Sequence, residues 1–191
     1  MIPREEFSSK ILPVTLRFEG GYANVPGDKG GETYCGISRN ANPNWPGWEI
    51  LNQYRPLRRG DLISDNALRQ VVAEVYWEKY FTPNRFHCFN HALPALCCFD
   101  FAVHGGFSVQ RLQRLLSVRF AVPLKPDGII GDKTIDAINA QDPKRLSLAI
   151  LDWRREHLAS IIQANPSQEV FAEGWNNRLS ALRRIVSNDN L

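Results

Sequence analysis

Two carboxylates and one hydroxyl, Glu19, Asp28 and Thr33, fall within a single short stretch, FEGGYANVPGDKGGETYCG, separated by glycines. Glu19 closes an apolar run in which Leu12 and Leu16 share its helical face. Desolvation beside apolar side chains favours the protonated form of a carboxyl. A carboxylic acid that keeps its proton can give it to a glycosidic oxygen, while a second carboxylate on a separate, wetter loop stays ionised. Asp28, beyond a glycine-rich turn, is such a second group. Thr33 can hold a water by its hydroxyl, as glycoside cleavage with two carboxylates requires when water attacks directly. Spacing alone leaves open the alternative that both acids are solvated ends of a helix and a turn.

The elements that must position these groups read as helices. Phe7, Ile11, Val14 and Phe18 repeat with the helical period and predict a first helix ending at Gly20-Gly21, with Pro13 as a kink or a first turn. Residues Tyr22 to Ser38 are rich in Gly, Pro, Asn and Asp, which predicts turns around a short hairpin. An aromatic connection through Trp45 and Trp48 leads to a helix capped by Ser64 or Asp65 and running to Tyr80. Further helices are expected over Leu93 to Val103 and Ser108 to Phe120, joined at His104-Gly105-Gly106. Asp132 is placed to cap a short helix. A long one follows from Asp142, with the stripe Leu146, Ile150, Trp153, His157 and Ile161. The last carries Trp175, Leu179, Leu182 and Val186. The fold class is mainly α.

Composition narrows the functions. The 191 residues are 43% hydrophobic and 23% charged, enough for a buried core. No segment reaches bilayer-spanning length and no apolar leader follows Met1, so synthesis in the cytoplasm without stable membrane insertion is expected. Cys35, Cys88, Cys97 and Cys98 form no spaced framework and read as free thiols. A formal charge of +3 suits an anionic surface such as a cell wall and is small for a DNA binder.

The string EGGYxNxPxDxGGxTxxGI, from Glu19 to Ile37, resembles the opening motif of glycoside hydrolase family 108, the N-acetylmuramidases of phages and prophages. Trp77 to Phe81 resembles that family's YWxxYW segment, and Asp100 to Gly106 its DFAVNxG helix end. Asp127 to Thr134 and Gly174 to Arg178 resemble its peptidoglycan-binding C-terminal part. The resemblance implies a lysozyme-like catalytic part over residues 1–122 and a helical peptidoglycan-binding part over 123–191, packed on one globule. It implies Glu19 as catalytic acid, with Asp28 and Thr33 completing a Glu, Asp, Thr order, although Thr33 falls one residue earlier than in phage-type lysozymes. Tyr22 and Asn24 within the motif are implied as substrate-binding. The substrate would be the peptidoglycan glycan strand, cut between N-acetylmuramic acid and N-acetylglucosamine without a cofactor, and reached through a holin-type pore. The chain departs from the family pattern at Val25, at His104 where Asn is usual, and at Cys35.

Other residues allow two readings each. Trp77 and Tyr80 can stack on pyranose rings or fill a core. Asp100 and His104, four apart on one helix face, can point into a cleft and bind substrate, or satisfy each other. His87, Cys88, His91, Cys97 and Cys98 lack paired CxxC spacing, so no metal is expected. Arg55, Arg58 and Arg59, with Arg111, Arg114 and Arg119, can contact anionic wall polymers or form a solvated surface. The rivals to an enzyme are a non-catalytic wall-binding or secretion-assisting protein of the same fold, and a helix-turn-helix DNA binder over Ser108 to Ile138. DGIIGDKT offers the latter no basic recognition face. The wide turn holding Pro26 favours an inverting course.

Overall fold

The computed structural model of the chain describes residues 1–25 and 30–191, so the expectations for Asp28 and its turn lie outside the described residues. The chain opens with one turn, α1 (Arg4–Glu6), a π-helical turn over Phe7–Ile11, and α2 (Leu12–Glu19). Proline lacks an N–H, and Pro13 stands two residues past the π-helical turn, where the hydrogen-bond register of the continuous helix from Arg4 to Glu19 changes. Phe7, Ile11 and Leu12 are buried, whereas Phe18, expected in the core, is only half-buried. Gly20 ends α2 with φ near +75°.

Three two-residue strands follow, β1 (Tyr22–Ala23), β2 (Thr33–Tyr34) and β3 (Ile37–Ser38), paired antiparallel in that order. Tyr22 stands opposite Tyr34, and Tyr34 opposite Ile37. The backbone of Gly60–Asp61 lies along β1, with Tyr22 N donating to Asp61 O at 2.9 Å and Gly60 N to Tyr22 O at 2.8 Å. That approach needs a glycine: a Cβ on Gly21 would fall 2.4 Å from Asp61 O.

The aromatic connection contains a short helix, α3 (Gly47–Asn52), which periodicity did not reveal because Trp side chains secure it. Trp45 and Trp48 meet edge to face at 4.8 Å, and their indole N–H groups donate to Val71 O and Asn42 O. Asp65 caps α4 (Asn66–Tyr76) by accepting from Leu68 N at 2.8 Å. A second π-helical turn covers Trp77–Phe81.

Five helices complete the chain: α5 (Ala92–His104), α6 (Val109–Phe120), α7 (Asp132–Asn139), α8 (Pro143–Ala164) and α9 (Ala172–Asn188). Leu93 to Phe101 are all buried, so α5, apolar in this run except for Asp100, runs through the centre of its unit, packed along α8. The adjacent Cys97 and Cys98 thiols are part of that packing, and burial pushes Cys97 up to about 12. Ser108 and Asp142 cap α6 and α8. Asp132 does not cap α7. Gly131 holds the cap position, and Asp132 sits in the first turn, where its charge suits the helix dipole and pairs with Arg85 at 2.7 Å.

The class is mainly α with a small antiparallel sheet after the first helices, as a lysozyme-like fold requires. Two compact units form, Phe7–Lys79, and Met1–Glu6 with Tyr80–Leu191. Helices α5 and α6, which precede residue 122, thus share a unit with α7 to α9. Truncation after Val122 removes the apolar face of α8 from α5, and an aggregated product is expected. A soluble, monomeric fragment in size-exclusion chromatography would show that the two parts of the sequence fold independently.

Candidate active site

Glu19 is the last residue of α2, and its carboxylate lies over the turn that joins β2 to β3. A Cβ placed on Gly36 would fall 3.0 Å from Glu19 Oε2 and 2.7 Å from Tyr76 Oη, and Gly36 has φ near +76°. Position 36 therefore admits glycine alone. The Tyr76 hydroxyl donates to Cys35 O at 2.7 Å in a buried bond, which fixes the turn beneath the acid. Burial pushes the Cys35 thiol up to about 11, and the Glu19 charge adds to the effect, so the thiol stays protonated and is no nucleophile. Gly36→Ala is expected to cost about 1–3 kcal/mol in urea unfolding and to displace the Glu19 carboxylate. A variant with unaltered stability and wall-clearing rate would show that the turn does not hold the acid.

Thr33 pairs through its backbone with Ala23 and Ser38 in the sheet, and its hydroxyl donates to Gly31 O at 3.3 Å. Tyr22 and Asn24 line an open cleft of about 650 Å³ together with Val25, Arg55, Pro56, Leu57 and Arg59. Glu19 and Thr33 are not among its lining residues. The cleft is organised by a residue that sequence reasoning missed. Glu32 accepts from the Tyr22 hydroxyl at 2.8 Å, from Arg39 Nε at 2.6 Å and from Arg55. Burial alone would raise its carboxyl, but the bonds from Tyr22 and Arg55 and the charge of Arg39 outweigh it and hold the group below its ordinary value. Its partners lie 7, 10 and 23 residues away, so no local pattern announces them.

The remaining expected contacts distribute differently. Trp77 is half-buried, its ring edge to face with Phe7 at 5.3 Å. Tyr80 is half-buried and its carbonyl accepts from Asn84. Asp100 requires correction as a sugar contact. It is 0% exposed, its Oδ1 accepting from Arg154 Nη1 at 2.5 Å and Arg178 Nε at 2.8 Å, and its Oδ2 from Arg178 Nη2 at 2.9 Å. Those arginines, not His104, satisfy it. The His104 Nδ1 is buried with no hydrogen-bond partner among the described residues, and the ring meets Trp175 edge to face at 6.1 Å. Burial, then the charges of Arg154 and Arg178, push His104 down to about 4, so it is neutral near pH 7.

Residues 12–106 match the model of the family described as Glycosyl hydrolase 108, and residues 107–180 that of a Predicted Peptidoglycan domain. The fold is shared with the structure of Brucella abortus SagA, at 24% identity over 96% of this chain and 95% of that one, with a TM-score of 0.60. No curated protein matches the chain.

Proposed function

Because the chain belongs to the glycosyl hydrolase 108 family and continues into a peptidoglycan domain, we propose that this glycoside hydrolase cuts the β-1,4 bond between N-acetylmuramic acid and N-acetylglucosamine. The observation that carries the reading is the seating of Glu19 over a turn that tolerates only glycine, with Tyr76 bracing the carbonyl beside it. A rigid turn that fixes a carboxylate is what a general acid needs, since proton transfer depends on placement to within a fraction of an ångström.

In this mechanism Glu19 gives its proton to the glycosidic oxygen as the bond breaks. Asp28 stabilises positive charge on the sugar or, with Thr33, orients the attacking water. Asn24 contacts sugar in the cleft, whose buried wall includes Tyr22, its hydroxyl already given to Glu32, and Arg59 offers a cation to the lactyl carboxylate of muramic acid. The role is endolysin-like. No helix among the described residues is long and apolar enough to cross a membrane, and passage to the wall would use a pore such as a holin.

Digestion of purified peptidoglycan followed by mass spectrometry tests the bond assignment. Products ending in reducing N-acetylmuramic acid are expected, whereas reducing N-acetylglucosamine would overturn the assignment. No products at all would favour a non-catalytic wall binder. Proton NMR of the first-formed end reports the course, with an α-anomer expected for inversion.

A further inference from the structure

Helices α6 and α8 each direct one stripe into a shared open groove. Arg111, Arg114, Leu115 and Val118 follow the i, i+3, i+4, i+7 pattern on α6, and Trp153, Glu156, His157 and Ser160 repeat it on α8. With Arg119 these residues enclose about 460 Å³, within the size range of small-ligand clefts. The floor is apolar, and Val118 is 83% exposed at the rim.

The polar groups are unequally occupied. Arg119 is engaged by Asp152 and Glu156. Arg111 donates to His157 Nδ1 at 3.0 Å, and burial followed by the charges of Arg111 and Arg154 pushes His157 down, leaving it a neutral acceptor. The Arg114 side chain is exposed and makes no ion pair or hydrogen bond with any described residue. Trp153 is 8% exposed, and its Nε1–H is buried without a hydrogen-bond partner among the described residues. A buried indole donor left unmet is costly. One uncommitted cation beside an apolar floor describes a site for a short chain that ends in a carboxylate and carries an aliphatic part.

We infer that this groove binds the peptide stem of peptidoglycan, Arg114 pairing with a stem carboxylate while Leu115, Val118 and Trp153 cover its aliphatic part. The inference rests on the peptidoglycan reading above and deepens it, since every lining residue falls within the matched peptidoglycan domain. It assigns the two parts of the substrate to different surfaces, glycan to residues 7–79 and peptide to the α6–α8 groove.

The test titrates the full-length chain with the tripeptide L-alanyl-γ-D-glutamyl-diaminopimelate and, separately, with chitotetraose and inorganic phosphate, reading indole N–H resonances by NMR. Trp153→Phe identifies the relevant peak. The tripeptide is expected to move that peak saturably, with chitotetraose and phosphate leaving it in place. Arg114→Ala should weaken tripeptide binding at least fivefold, and Arg114→Lys should recover part of it. A tripeptide that leaves the peak unmoved, phosphate acting equally well, or an Arg114→Ala variant that binds normally would each overturn the proposal. Digestion of intact peptidoglycan separates the two readings: reducing-end products formed without tripeptide binding sink only the groove, and no products from intact wall sink the hydrolase reading.

Discussion

Glu19→Gln is expected to lower the rate of peptidoglycan clearance by on the order of a hundredfold or more while leaving the unfolding transition in place. The substitution keeps the shape and the amide can still fill the space over Gly36, so the β2–β3 turn has no reason to move. What is lost is a group able to hand over a proton, and general acid catalysis is typically worth about 10²–10⁴-fold. The comparison with Gly36→Ala sharpens the test. One variant removes the proton and keeps the position, while the other keeps the proton and disturbs the position. If both lose activity and only Gly36→Ala loses stability, chemistry and placement are separable contributions of one turn. A folded Glu19→Gln enzyme that clears walls at the normal rate would require another residue as the acid.

The acid could be read in the sequence because its setting is local. An apolar helical face, a glycine stop and a glycine-rich turn lie within a few residues of Glu19, and helix ends, caps and turns are decided at that range. Asp65 as a cap was legible for the same reason, and helices were expected to run from Ser108 and Asp142, which the structure shows to be caps as well. The structure beneath the acid was not. Gly36 could be marked as a turn residue, but the Tyr76 hydroxyl that braces it arrives from α4, 41 residues beyond Cys35. Glu32 escaped notice likewise, since an acid between glycine and threonine looks like a solvated turn until Tyr22, Arg39 and Arg55 converge on it. Local chemistry places a functional group along the chain, and long-range packing decides what surrounds it.

Asp100 makes the same point with a larger energetic consequence. The segments DFAVHGG and GWNNR stand out separately in the sequence, yet Asp100 of the first and Arg178 of the second form a bidentate ion pair across 78 residues. Arg154 of α8 completes the set, so one carboxylate on α5 joins two other helices in a fully buried site. Asp100→Asn keeps the volume and removes the charge, leaving two guanidinium groups in the interior without a counter-ion. Breaking a buried pair in this way costs about 3–5 kcal/mol, a large share of the roughly 5–15 kcal/mol that holds a domain folded. The expected result is a urea midpoint shifted far down, and a change under about 1 kcal/mol would mean that water reaches the site. The pH dependence has a definite sign. Burial alone would raise the Asp100 carboxyl, but Arg154 and Arg178 outweigh it and hold the group below its ordinary 3.8. A carboxyl depressed on folding contributes stability that is complete above its unfolded value and is lost as pH falls through the folded one. The wild-type chain should therefore lose stability below about pH 4 more steeply than Asp100→Asn, and the gap between their urea midpoints should narrow as the solution becomes more acid.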